Sequence, residues 1–238
     1  GTAIDGYTPF ADSYPILNSI DPEIQIKSFF DPMILVFNTN APGASGLDVT
    51  LPLRGNTNVI IDWGDGTSTT VNNANQTIDV THTYASAGEY TVKISGSLEA
   101  FGVANGYPNS NKLVEVASFG DLGITNLAYA FKLATNLTSV PQVLPASVTK
   151  LLGMFSSASS FNDPNVTLWD VSNVTDMKGM FQLASAFNQP IGSWNTASAT
   201  DMAQMFDRAV VFNQDISGWN TSKVTTTYRM FIRAHSFN

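Results

Sequence analysis

The chain has 238 residues, of which 43% are hydrophobic and 13% are charged; its net charge is −8 and it contains no cysteine. This composition predicts a folded protein of one or two domains, and it excludes disulfides and thiolate metal sites. Neither half of the chain offers a basic face for phosphates and no apolar run approaches roughly 18 residues, so we expect no nucleic-acid partner and no membrane insertion.

The first 32 residues contain four prolines among scattered apolar residues: Pro9, Pro15, Pro22 and Pro32. This spacing of prolines does not predict a helix or a strand. Three interpretations of residues 1–32 are open: a linker, a docking arm, or the end of an upstream domain.

Residues 33–98 predict short β-strands separated by turns, because apolar and β-branched runs alternate with polar, glycine-containing segments. The Asp65-Gly66 pair is a turn signal between two such strands. Regularly spaced short strands of this kind predict a β-sandwich. The predicted strands are Met33–Asn38, Leu47–Leu53, Val59–Trp63, Thr77–Val80 and Tyr90–Ser95.

The same residues resemble a polycystic kidney disease (PKD) domain. One mark of that family is a run of the form H-x-Y-x-x-x-G-x-Y-x-V, and a second is a turn rich in Trp, Gly and Asp. The turn here reads Asp62-Trp63-Gly64-Asp65-Gly66, with the aromatic order altered. The resemblance implies an immunoglobulin-like spacer of secreted and surface proteins. The residues that match the run are His82, Tyr84, Gly88, Tyr90 and Val92.

Two carboxylates in this turn, Asp62 and Asp65, are the candidate metal ligands of the chain. Carboxylate oxygens suit calcium, but Asp is also common in tight hairpin turns, where it accepts backbone hydrogen bonds. The turn-stabilising interpretation is favoured, and calcium is retained as the alternative. We interpret His82 as a packed or turn-bonding histidine. No other cofactor is predicted.

The C-terminal half is built from a repeat of about 25 residues. The Met-Phe pairs that begin at Met154, Met180, Met205 and Met230 are separated by 26, 25 and 25 residues. The Phe-Asn pairs and the tryptophans share this period, and a degenerate copy starts at Ile124. The residues that form these ladders are Phe155, Phe181, Phe206 and Phe231; Trp169, Trp194 and Trp219; and Asn162, Asn188 and Asn213.

Each repeat predicts one helix and one short strand. Met177, Met180, Phe181 and Ala184 fall at i, i+3, i+4 and i+7, which is one apolar face of a helix. A strand is predicted around Ile191–Asn195. One helix and one strand per 20–29 residues is the plan of a leucine-rich-repeat solenoid, so the predicted fold class is mixed β and α/β: a PKD-like sandwich followed by such a solenoid.

The repeats resemble those of BspA-like leucine-rich-repeat surface proteins. The residues that carry this resemblance run from Asn173-Val174-Thr175-Asp176-Met177 through Met180-Phe181 and Phe187-Asn188-Gln189 to Trp194-Asn195-Thr196. The resemblance implies a surface protein, often an adhesin, of bacterial or phage origin. The predicted division is an arm at 1–32, the PKD-like part at 33–98, a cap with the degenerate repeat at 99–146, and BspA-like repeats at 147–238.

The tryptophan ladder admits two interpretations. Flat indole faces suit sugar rings, but a tryptophan that recurs at one repeat position more often fills the core, and we favour the core. The asparagine ladder is interpreted as bonding to backbone within each turn. No nucleophile motif, phosphate loop or metal-spaced histidine cluster is present, so we predict that the chain is not an enzyme.

Two functions are consistent with these features. The first is a non-enzymatic adhesion or binding protein, extracellular and displayed on a cell surface, whose repeats contact a protein or glycan. The alternative is a virion structural protein, such as a phage tail fibre or capsid attachment protein, whose partners are neighbouring subunits of an assembly.

Overall fold

The computed structural model describes residues 31–238, so most of the predicted N-terminal arm lies outside the described residues. Five strands form one antiparallel sheet in the order β3-β2-β4-β1-β5. The PKD-like part is therefore a single sheet, and the prediction of a two-sheet sandwich is wrong. The strands are β1 (Met33–Asn38), β2 (Asp48–Asp62), β3 (Ser68–Thr83), β4 (Glu89–Phe101) and β5 (Leu113–Ser118).

Three strands are much longer than predicted, and this explains why a second sheet does not form. The predicted strands 47–53 and 59–63 merge into β2 of 15 residues, which pairs with β3 and β4 over most of its length. The polar segment between them is absorbed as an irregularity between Gly55 and Thr57, where Gly55 has a φ of 73°. The residues predicted to form a turn between two strands therefore form an irregularity within one continuous strand.

No α-helix occurs among residues 31–238, and the predicted helix in each repeat is wrong. The segment that carries the helical pattern is a run of consecutive turns. We call it the turn segment, and its five copies are residues 126–133, 150–157, 176–183, 201–208 and 226–233. Two short 3₁₀ helices occur elsewhere, at Ser110–Lys112 and Pro164–Leu168.

The backbone hydrogen bonds of the turn segments show why no helix forms. The amides of Met180, Gln182 and Ala184 donate to carbonyls three residues earlier. The intervening amides donate to the following repeat at 2.8–2.9 Å, so they cannot form the i to i−4 bonds of an α-helix. Those amides belong to Met177, Gly179, Phe181 and Leu183, and their acceptors are Asp201, Ala203, Met205 and Asp207.

Successive repeats stack in parallel directly on the sheet. Single parallel bridges connect Ala100 of β4 to Asn126, and then continue to Lys150, Asp176, Asp201 and Thr226, one residue per repeat. A second bridge joins Glu115 of β5 to Ser139. The strand predicted at 191–195 is a turn in which the Trp194 amide donates to the Ile191 carbonyl. The repeats therefore form a stack of turns.

One continuous hydrophobic core runs through the sheet and the repeats. Phe101 of β4 and Phe119, just after β5, both pack against Phe131 of the first repeat, with ring centroids 6.4 and 6.3 Å apart. Phe131 in turn contacts Phe155 of the next repeat at 5.8 Å. In residues 31–238, no helix is both long and apolar enough to cross a membrane.

Candidate functional site

The turn between β2 and β3 holds the two predicted metal ligands. Asp62 accepts a hydrogen bond from the Gly64 amide at 3.0 Å. Asp65 Oδ1 accepts from both the amide and the hydroxyl of Thr67, at 2.9 and 2.6 Å, and the Thr67 hydroxyl is the main reason that the pKa of Asp65 falls to about 2. Both carboxylates thus close the turn, as is usual for Asp in such loops.

His82 lies beside this turn and links it to the sheet. Its Nε2 is 2.7 Å from Oδ2 of Asp65, and its ring stacks on Trp63 with centroids 4.8 Å apart. The edge of the ring meets Tyr84, whose hydroxyl donates to the Trp63 carbonyl at 2.8 Å. Burial raises the pKa of the Tyr84 hydroxyl. His82 and Tyr84 of the PKD-like run therefore belong to one packed cluster around the turn.

The geometry of the turn favours the structural role of Asp62 and Asp65 over calcium binding. Calcium takes six to eight oxygen ligands. Three of the four carboxylate oxygens here already accept hydrogen bonds from, or lie against, Gly64, Thr67 and His82. Within the described part of the chain, no group of three or more His, Cys, Asp or Glu side chains could hold a metal ion. Calcium at this turn stays a prediction.

The phenylalanine ladder forms two parallel columns of stacked rings inside the repeats. Within one repeat Phe181 and Phe187 lie 3.7 Å apart, and along the stack Phe181 lies 5.7 Å from Phe155 and 5.8 Å from Phe206. The interplanar angles of these contacts do not exceed 10°. Phe231 continues the first column at 5.6 Å from Phe206.

The tryptophan ladder is also inside. Trp169, Trp194 and Trp219 are 3%, 3% and 8% exposed, so their faces are not available to a sugar ring. Each indole Nε1 donates to a carbonyl of the preceding repeat, which satisfies the buried N–H. The acceptors are Pro141, Val166 and Ile191, at 2.8, 2.9 and 3.0 Å.

The asparagine ladder lies on the outside and connects repeats to each other. Oδ1 of Asn162 accepts from the Asn188 amide at 2.8 Å, and Oδ1 of Asn188 accepts from the Asn213 amide at 2.9 Å. Gln189 and Gln214 donate to the same oxygens. The asparagine bonds therefore run between neighbouring repeats, whereas the sequence interpretation placed them within one turn.

The turn segments form an outward face that the sequence interpretation did not identify. We call it the basic face, and it consists of the first, third, fourth, seventh and eighth positions of the five segments. The other positions are buried in the first four segments. Six basic residues lie on it and three acidic ones, a balance of 6 − 3 = +3. The basic residues are Lys132, Lys150, Lys178, Arg208, Arg229 and Arg233.

The acidic residues of the basic face are less exposed than its basic residues. Five of the six basic residues are exposed, whereas Asp176 and Asp201 are half-buried and Asp207 is 5% exposed. Asp207 accepts a hydrogen bond from Gln182 at 3.0 Å. Burial, and then the neighbouring charge of Asp201, raise the pKa of Asp176. The basic residues occupy different positions of the repeat, and only Arg208 and Arg233 share one, so no periodic signal in the sequence reveals this face.

Two family models match the chain. The model described as "Mycoplasma protein of unknown function, DUF285" matches residues 116–238, and the PKD domain model matches residues 35–109. The second match confirms the prediction of a PKD-like segment. The first is compatible with the BspA-like prediction, which stays a prediction. No curated protein and no solved structure matches the chain.

Proposed function

We propose that this chain, which belongs to the family described as "Mycoplasma protein of unknown function, DUF285", is a surface-displayed adhesion protein. Its match to the PKD domain supports the proposal. The family description assigns no activity. The PKD match carries the proposal, since this domain is a non-catalytic module that suggests an extracellular, adhesion-like protein. In this proposal the chain binds its partner without catalysing a reaction.

The stacked repeats supply the binding scaffold in this proposal. Each turn segment donates backbone hydrogen bonds to the next one, and the phenylalanine columns fill the interior. Phenylalanine rings at equivalent positions therefore lie 5.6–5.8 Å apart along the stack. A surface held at fixed spacing loses little conformational freedom on binding, which favours affinity.

The proposed location is the cell surface, and the proposed partner is a protein or glycan on another surface. PKD domains commonly mediate such protein or carbohydrate interactions. The BspA-like resemblance of the repeats, with its Met-Phe and Trp-Asn marks, supports adhesion as the finer assignment. In the proposed arrangement the sheet is the spacer and the outer faces of the repeats make the contact.

Antibody labelling of intact cells of the source organism tests the location. We expect labelling without permeabilisation, and removal of the label by external protease. Labelling that appears only after lysis would contradict the proposal.

Beads coated with the purified chain test the binding function. We expect them to attach to a panel of cultured cells more than beads coated with the heat-denatured chain. Equal attachment of the two bead types to every cell type would contradict adhesion while leaving the surface location intact.

A further inference from the structure

We propose that the basic face binds an anionic polysaccharide, a glycan chain that carries carboxylate or sulfate groups. This inference rests on the proposed function and names the partner class and the surface of the repeats that contacts it. The face comprises the outward positions of the five turn segments, from 126–133 to 226–233.

Positive charge is concentrated on the basic face, while the rest of the chain is acidic. Residues 112–238 contain eight basic and eight acidic residues, so a face with a balance of +3 leaves −3 on the rest of this region. The whole chain carries −8. The fold thus gathers positive charge on one face of an acidic protein, and such a local field attracts anions and orients their approach.

Most basic side chains of the face are exposed and lack a close ion pair. Lys150, Lys178, Arg208 and Arg233 are exposed. Among the residues that the structure describes, only Arg208 of these four has an ion pair, a 3.9 Å contact with the buried Asp207. These cations therefore remain available to a ligand. Arg229 lies over the ring of Tyr228, 4.9 Å from its centroid, and this ring is itself 61% exposed.

The spacing of the charges indicates an extended ligand. The six basic residues are distributed over all five turn segments, which together span roughly 20 Å at about 4.8 Å per repeat. A polymer with a charge on each unit could contact several of them at once, and many weak contacts then combine into a useful affinity.

Besides Tyr228, three large apolar residues are exposed on the face. Leu133, Leu183 and Ile232 are 40%, 37% and 40% exposed, and they lie on the first, third and fifth turn segments. A folded protein partner commonly requires a contiguous apolar centre. The five exposed cations of the face fit an anionic sugar chain better. The extracellular location suggested by the PKD match is where such glycans are accessible.

Duplex nucleic acid is disfavoured by the remaining charge. It carries one negative charge per about 1.7 Å of axis. Such a rod would extend beyond the basic face and approach the acidic residues of a chain with a net charge of −8. An acidic peptide shares the charge but not the sugar rings, and it is the competing outcome of the experiment.

Binding to chondroitin sulfate, measured by calorimetry at low salt, tests the proposal. The test variant is the double substitution Lys178→Glu and Arg208→Glu on the basic face. The matched control is Lys223→Glu, an exposed basic residue of the same region that lies outside the turn segments. We expect the double variant to lose roughly tenfold in affinity and the control to remain within about twofold.

Three further measurements complete the test. Affinity should fall as sodium chloride rises from about 50 to 200 mM, because salt screens exposed charges. Neutral dextran should not bind. The neutral pair Lys178→Gln and Arg208→Gln should give an intermediate loss without reversing charge, and unchanged melting curves should show that both double variants fold.

Four outcomes would overturn the proposal: no binding of chondroitin sulfate, equal losses in the double variant and the control, binding of dextran, or tighter binding of poly-glutamate. None of them contradicts surface display or adhesion, which the labelling and bead experiments test separately. A failure of this inference is therefore distinguishable from a failure of the proposed function.

Discussion

At the scale of single residues, the turn segments depend on left-handed backbone conformations. Two positions in each turn segment have a positive φ, between 56° and 64°, and eight of these ten positions hold residues other than glycine. A left-handed residue with a side chain costs roughly 1–2 kcal/mol. Alternate amides of the first four turn segments donate to the next repeat at 2.7–3.1 Å. These bonds offset the conformational cost in the first four turn segments.

A comparison of Gly153→Ala with Gly179→Ala separates the cost of a left-handed backbone from the cost of a steric clash at the added Cβ. A Cβ at Gly179 would meet nothing closer than Gln182 at 3.8 Å, so only the left-handed backbone opposes alanine and the loss should be about 1 kcal/mol. A Cβ at Gly153 would lie 2.6 Å from the ring of Tyr129. Overpacking should add roughly 1 kcal/mol or more there. Urea unfolding that gives equal losses for the two variants would contradict this reading of the contact.

Asp65→Asn tests the charge in the β2–β3 turn. The pKa of Asp65 is lowered from 3.8 to about 2 in the folded chain, first by the Thr67 hydroxyl and then by other groups that include His82. A lowered folded pKa stabilises the protein above the unfolded value, and this stabilisation is lost as the pH falls from about 4 to about 2. Thermal melts should therefore show a smaller acid-induced drop for the variant in this window. Below pH 2 the two curves should run parallel, and identical curves throughout would contradict the assignment.

At the scale of elements, each repeat is stabilised mainly by its neighbours. Phe181 is fully buried and stacks on rings of its own repeat and of both adjacent repeats. Phe231 is half-buried and, within the described part of the chain, stacks only on Phe206 and Phe237. In a stack whose repeats are stabilised by their nearest neighbours, a residue of an interior repeat contributes more to stability than a residue of a repeat with a single neighbour.

Alanine substitution at these two positions tests the coupling. Phe181→Ala should lower the free energy of unfolding by roughly 3–5 kcal/mol, the usual loss for a buried phenylalanine. Phe231→Ala should cost about half as much, since it lacks the ring of a following repeat among residues 31–238. Urea melts that rank Phe231→Ala above Phe181→Ala would show that the columns do not carry the stability of the stack.

At the scale of the whole molecule, the sheet and the repeats share one core. Phe119 bridges them, because its ring lies 6.3 Å from Phe131 and 5.9 Å from Trp169. The backbone is also continuous across the junction, where the Phe101 amide donates to Asn126 at 3.1 Å. Parts joined by both packing and hydrogen bonds are expected to unfold together.

Trp63→Phe provides a probe of this cooperativity. The variant leaves tryptophan fluorescence only in the repeats, at Trp169, Trp194 and Trp219. Its urea transition should coincide with the far-ultraviolet circular dichroism transition, which reports on the sheet as well. The wild-type chain, with Trp63 in the sheet, is the control. Two transitions separated in midpoint would contradict a single cooperative unit.

The sequence by itself determined which side chains are buried in the repeats. The 25-residue period and the pattern of Met177, Met180, Phe181 and Ala184 predict one inward face, and all four residues are fully buried. The sequence also identified the PKD-like run and the Asp-Gly turn. These features are local, because they depend on the identity and spacing of residues within one repeat or one hairpin.

Only the tertiary structure decided the secondary structure of the repeats, the number of sheets and the existence of the basic face. The same four inward residues can be buried by a helix or by consecutive turns, and the choice depends on whether amides such as Phe181 N–H donate within the repeat or to the next one. Gly55 likewise permits either a break between sheets or an irregularity in one long strand. The charges on Lys178 and Arg208 meet on one face only after stacking. In each case the deciding contact joins residues distant in sequence, so local periodicity cannot specify it.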